Sequence, residues 1–134
     1  SGCTRSGKND SPALQHKILH YYSEKDSTSY FFVDGKKLED RIGSGISTFL
    51  SVDGTSAAVI AATALYRVDA NGIMLVYPAA VTRAVLSMDG KSILFATATK
   101  AFLYSSDTGE TTEFEGIEAE TVLSLALSEE KQPP

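Results

Sequence analysis

The sequence predicts an all-β fold assembled from a repeated set of short antiparallel strands. Two observations carry that prediction. Leu50-Ser51-Val52-Asp53-Gly54 recurs as Leu86-Ser87-Met88-Asp89-Gly90, and Leu123-Ser124-Leu125 opens a third copy. Independently, Gly35, Gly72 and Gly109 close polar turns at an even spacing of 37 residues. The runs between these markers are short, aromatic or β-branched, and partly alternating, as strands are.

Taken in order, residues 1–13 are rich in Ser, Gly and charge and read as a flexible tether. Lys17-Ile18-Leu19-His20-Tyr21-Tyr22 is the first apolar run, and Ser29-Tyr30-Phe31-Phe32-Val33 suits a pleated strand. Asp34-Gly35 is a hairpin turn. Residues 37–42 alternate weakly and carry charges suited to an exposed edge. After Gly43-Ser44-Gly45, residues 46–51 alternate with period two and Asp53-Gly54 turns them. Residues 57–62 and 65–68 follow, Asn71-Gly72 makes the next turn, and residues 73–77 end at Pro78. The order then repeats: residues 82–87, the turn Asp89-Gly90, residues 92–97 and 102–104, the turn at Asp107 and Gly109, and residues 110–114. Residues 120–127 restart the pattern and 128–134 form a polar tail.

Residues 14–22, 57–66, 78–88 and 117–127 would each suit a helix if taken singly, the Ala-rich second one most of all. The repeat overrules this for the two middle stretches. Residues 57–66 align with residues 92–104, a better strand than helix, and 78–88 crosses the same repeat boundary as 42–52, which holds two glycines. The first and last stretches stay open between strand and helix.

A period of this length with several short strands is the signature of a propeller blade, a four-stranded sheet that buries its faces on its neighbours. The repeat domain spans 14–127, with approximate blades at 14–43, 44–80 and 81–118 and the start of a further blade at 119–127. Asp53, Gly54, Asp89 and Gly90 join the first two strands of a blade. Asp34, Gly35, Asn71, Gly72, Asp107 and Gly109 join the last two. The first blade shows only three strands, so the chain holds about three blades. A closed ring has roughly 4–8. The expectation is therefore a partial propeller, and three arrangements are open: missing C-terminal blades in a longer protein, a homo-oligomer that completes a ring by strand exchange, or an open stack with capped ends.

The segment from Leu86-Ser87-Met88-Asp89-Gly90-Lys91 to Asp107-Thr108-Gly109-Glu110 resembles the repeat of the WD40-like, YVTN and TolB-type β-propellers. The resemblance covers 45–127 well and 17–42 partly. The chain departs from those families in lacking Pro in the Ser-x-Asp-Gly turn and in having no Trp-Asp or Gly-His pair. Likewise, Ser1-Gly2-Cys3 resembles the tail of a bacterial lipobox, which implies lipidation of Cys3, a membrane contact only through that anchor, and a place at the cell envelope. The alternative is an incidental Cys at a fragment boundary and a cytoplasmic protein.

Composition narrows the partners. The net charge of −5 counts against nucleic acid, which needs clustered Lys and Arg. With Cys3 alone, no internal disulfide forms. His16 and His20 lack a helically spaced carboxylate to complete a metal triad, and no nucleophile elbow, P-loop, dinucleotide fingerprint or EF-hand spacing occurs. The turn aspartates cap their own backbone. The expectation is accordingly no catalytic residue, no metal and no cofactor. The acidic run from Glu110 to Glu120 reads as a solvated outer strand and loop. Tyr66, Tyr104, Phe95, Phe102 and Phe32 are read as inter-blade core, and Tyr21, Tyr22 and Tyr77 as exposed contact residues. The function that follows is a non-catalytic module binding a protein or small molecule. Its alternatives are a fragment of a propeller lyase or hydrolase, and a self-assembling structural unit.

Overall fold

The computed structural model describes residues 15–43, 45–51, 54–117 and 125–128. Its elements are β1 (Ile18–Ser23), β2 (Thr28–Val33), β3 (Lys36–Ile42), β4 (Ile46–Ser51), β5 (Ser56–Ala61), β6 (Leu65–Asp69), β7 (Gly72–Tyr77), β8 (Arg83–Leu86), β9 (Ser92–Ala96), β10 (Ala101–Ser105) and β11 (Glu110–Glu113). They form three antiparallel sheets, none closed on itself: sheet one β1-β2-β3, sheet two β4-β5-β6-β7 and sheet three β8-β9-β10-β11. Within each sheet consecutive strands are neighbours, the simplest route for short connections.

Residues 14–22, open between helix and strand in the sequence, are resolved as β1 from Ile18 onward. Most of the further strand expected over 119–127 lies outside the described residues, and residues 125–128 belong to no strand. The Ala-rich run became β5 because both its faces are covered. Ala57, Val59 and Ala61 join one buried cluster with Phe31, Val33, Ile42 and Val68. Ala58 and Ile60 join another with Leu86, Ile93, Phe95, Phe102 and Tyr104. Two-sided burial at period two outweighs the helix preference of Ala, and its small side chains admit a neighbour on each face. Sheet two is thus the middle layer of three.

The repeated Asp-Gly turns build the joints between layers. Gly54 stands against the backbone carbonyl of His16 and Gly90 against the Ser56 hydroxyl, so each turn leans on the preceding sheet where its β1 or β5 begins. Both glycines have φ near +80°, at 84° and 75°. A Cβ at either would collide with that neighbour. On the opposite side of the first joint, Asp40 of β3 accepts from the Ile73 amide of β7 at 3.0 Å.

The repeat is not uniform in register. Leu50 pairs with Ala58, whereas Leu86 pairs with Ile93. Leu50 and Leu86 match in sequence, yet they meet in one cluster from opposite sheets. A one-residue slip reverses the face a strand presents, and here it turns two copies of one motif toward each other.

Candidate functional site

The predicted turn residues hold structural posts. Asp34 and Gly35 form a two-residue hairpin with positive φ at both, 54° and 84°, the geometry that matches strand twist. The Asp34 carboxylate also accepts from the His16 amide at 2.6 Å. Asn71 N–H donates to Asp69 Oδ1 at 2.9 Å. Asp89 accepts from the Lys91 amide at 2.9 Å and the Ser87 hydroxyl at 2.7 Å, and these bonds, the Lys91 amide first, lower its carboxyl below the usual range. Gly109 N–H closes its turn on the Ser105 carbonyl at 2.8 Å, with Asp107 exposed beside it. Asp53 and Cys3 lie outside the described residues. The described turn residues are spread along the three sheets and do not converge on one point.

What the fold does gather is a cluster on the outer face of sheet one. The Tyr21 and Tyr30 rings stack at 5.2 Å, with Phe32 6.3 Å from Tyr21. Lys37 Nζ lies 4.5 Å from the Tyr30 centroid and 5.6 Å from that of Tyr21, and donates to the Tyr21 hydroxyl at 3.1 Å. The Tyr30 hydroxyl donates to Asp26 Oδ2 at 2.5 Å. That bond raises the Tyr30 phenol above its ordinary value and lowers the Asp26 carboxyl. Each ring therefore has a hydroxyl partner that fixes its orientation, and a cation sits over both π faces.

The register shows what kind of face this is. Counted from the open ends of the hairpins, at Ile18–Val33, Ser92–Ser105 and Ser56–Asp69, the pairs Tyr21–Tyr30 and Leu19–Phe32 occupy the places of Phe95–Phe102 and Ile93–Tyr104 in sheet three, and of Val59–Tyr66 and Ala57–Val68 in sheet two. In sheet three those four side chains are buried against sheet two. In sheet one Leu19 is 58% and Tyr21 38% exposed. The outer face keeps the pairing pattern of an inter-sheet face, and among the described residues no sheet packs on it.

A second feature borders it. The β2–β3 turn and the β6–β7 turn enclose a cleft of about 720 Å³ whose lining includes His16, Asp34, Lys36, Glu39, Asp40 and Asn71. Charges of both signs line it. Val33, Leu38 and Ala70 add apolar surface to the same lining.

Several expectations for single residues change. Tyr77 is half-buried, its ring 5.2 Å from Phe95 and 5.0 Å from Phe102, so it belongs to the core and not to the contact surface. Phe32 lies on the outer face, outside both buried clusters. Phe95, Phe102 and Tyr104 are buried between sheets and Tyr66 packs against the other cluster. His20 packs its ring 5.2 Å from Phe31 and 6.0 Å from Phe49 and bonds the Ser29 hydroxyl at 3.0 Å. Burial there lowers its pKa below 6.5. Among the described residues no His, Cys, Asp and Glu gather into a metal-holding group. Sequence reading missed Tyr30, Lys37 and Asp26. The available signal was the alternation of β2, which puts Tyr30 and Phe32 opposite Phe31 and Val33.

No protein-family model matches this chain, and no curated protein matches it.

Proposed function

We propose that this chain is a non-catalytic binding module of propeller-type sheets, which offers the Tyr21–Tyr30–Lys37 face to a protein partner. One observation carries the reading. The face keeps the cross-strand pattern of a buried inter-sheet surface but substitutes two tyrosines, each with a polar partner, where sheet three has Phe95 and Phe102. Tyrosine beside a cation is the composition of contact surfaces that must be both wetted and desolvated. The lipobox-like Cys3 supports a place at the cell envelope, with lipidation as the only membrane contact.

The test compares the wild-type chain with the double variant Tyr21→Ser and Tyr30→Ser in quantitative cross-linking from cells. A partner retained by the wild type should fall about tenfold or more with the variant, as expected when ring contacts at a hot spot are lost. Equal recovery by both proteins refutes the reading. Mass spectrometry of Cys3 tests the anchor separately, and a free thiol in membrane fractions refutes it.

A further inference from the structure

Sheets two and three each carry a strand at the edge where sheet one has none among the described residues. β5 pairs with β4 as well as β6, and β9 with β8 as well as β10, whereas β1, the counterpart of β5 and β9, pairs with β2 alone among the described strands. We propose that the open edge of β1 receives an added antiparallel strand from another polypeptide, an uncharged segment with an aliphatic residue opposite His20. The inference rests on the binding-module reading and names the partner's form.

Three properties of β1 support it. Its sequence has no charge and no proline, and its register with β2 runs unbroken from Ile18 to Ser23. The opposite edge of sheet one and the outer edge of sheet three are guarded in the usual way. β3 carries Lys36, Lys37, Glu39, Asp40 and Arg41 and a register shift, and β11 carries Glu110 and Glu113. Second, Leu19, Tyr21 and Tyr22 are among the exposed large hydrophobics. They lie on both faces of β1, whose outer edge is unpaired among the described residues. Third, main-chain groups along an unpaired edge supply affinity, and alternate side chains supply selection.

The selection follows from register. His20 stands where sheet two has Ala58 and sheet three has Leu94, counted from the open ends of the hairpins. The residues opposite those two are Leu50 and Val85. Tyr21 stands where the other sheets have Val59 and Phe95, which face Phe49 and Ala84. An incoming strand therefore has an aliphatic residue opposite His20, packed beside the Phe31 and Phe49 rings that already flank it. A lysine at that place would lose its hydration against an apolar wall.

The probe is a synthetic peptide with the sequence of residues 45–51, added to the whole chain while amide hydrogen exchange is read residue by residue. Alternate amides of β1 should slow about tenfold or more at saturation, those of β5 should not change, and the peptide carrying Leu50→Lys should bind about tenfold or more weaker. No slowing in β1 overturns the proposal, as does equal binding of the lysine peptide. A response in β5 instead of β1 means the peptide has displaced β4, and overturns it too. β1 amides already protected without the peptide, by a second copy in a dimer or by residues 119–127 of the same chain in a monomer, would likewise overturn it. A failure here leaves the Tyr21–Tyr30 face to its own cross-linking test.

Discussion

Arg67 of β6 grips the carbonyl of Gly90 from the neighbouring sheet, donating Nε at 3.0 Å and Nη2 at 2.7 Å. Its remaining arm meets Asp69 at 2.5 Å, and its side chain is 13% exposed. The planar fork thus spans two sheets while Asp69 holds it in place, a task that suits guanidinium more than ammonium. Ser56 donates to the same carbonyl at 3.2 Å. Removing the fork by Arg67→Met should lower stability by about 2 kcal/mol, the scale of hydrogen bonds to a charged group. Arg67→Lys should recover less than half. Urea denaturation of the two variants measures this, and equal midpoints for Lys and Arg would show that the fork geometry is immaterial.

The turn that Arg67 grips depends on Gly90 itself. Gly90 and Gly109 share φ of 75°, but only Gly90 is crowded, by the Ser56 side chain, while a Cβ on Gly109 meets nothing. Gly109→Ala should therefore cost only the backbone penalty of about 1–2 kcal/mol. Gly90→Ala should cost more, because the Ser56 side chain and the Arg67 contact must shift as well. Thermal unfolding of both variants gives the comparison, and equal losses would refute the joint between Gly90 and Ser56.

Much of this architecture is legible in the sequence, and the reason is locality. Asp34-Gly35 and Asp89-Gly90 are read from adjacent residues, and strand alternation from the next neighbours but one. The contacts between sheets are not local. Arg67 and Gly90 are joined by the stacking of two layers, and no spacing rule signals it. Leu50 and Leu86 sit in the same motif, but a register slip turns them to opposite faces, which only pairing reveals. Tyr77 reads as a contact residue, yet Phe95 and Phe102 from the next sheet cover it. The open face at Tyr21 and Phe32 has the opposite problem. Its pattern is that of a core, and its exposure depends on what stacks in front of it.

That contrast yields a paired prediction. Phe95 and Tyr21 occupy equivalent places in β9 and β1. Phe95 is fully buried, so Phe95→Ala should cost about 3–5 kcal/mol. Tyr21→Ala removes an exposed stacking partner of Tyr30 and should cost about 1 kcal/mol or less. Chemical denaturation of each variant decides the matter. A loss at Tyr21 as large as at Phe95 would mean that the outer face is covered in solution.

The His20 site makes stability depend on pH in a defined window. Its ring lies among Phe31, Phe49 and the Ser29 hydroxyl, and desolvation by burial lowers its folded pKa below 6.5. The unfolded chain then binds the proton more tightly than the folded one. Below 6.5 the unfolded state takes up protons first, so stability falls as pH drops through that value and levels off beneath the folded pKa. Above 6.5 the contribution is fully present. Asp26 and Asp89 act lower down: their folded values lie below 3.8, so their contribution is present above 3.8 and lost as pH falls through the folded values. The two windows are separate, which lets one substitution isolate the first. Urea midpoints of the wild type should be lower at pH 5.5 than at pH 7.5, and His20→Gln should shrink that difference. An undiminished difference in the variant would assign the pH response to another group and remove His20 from the joint between β1 and β4.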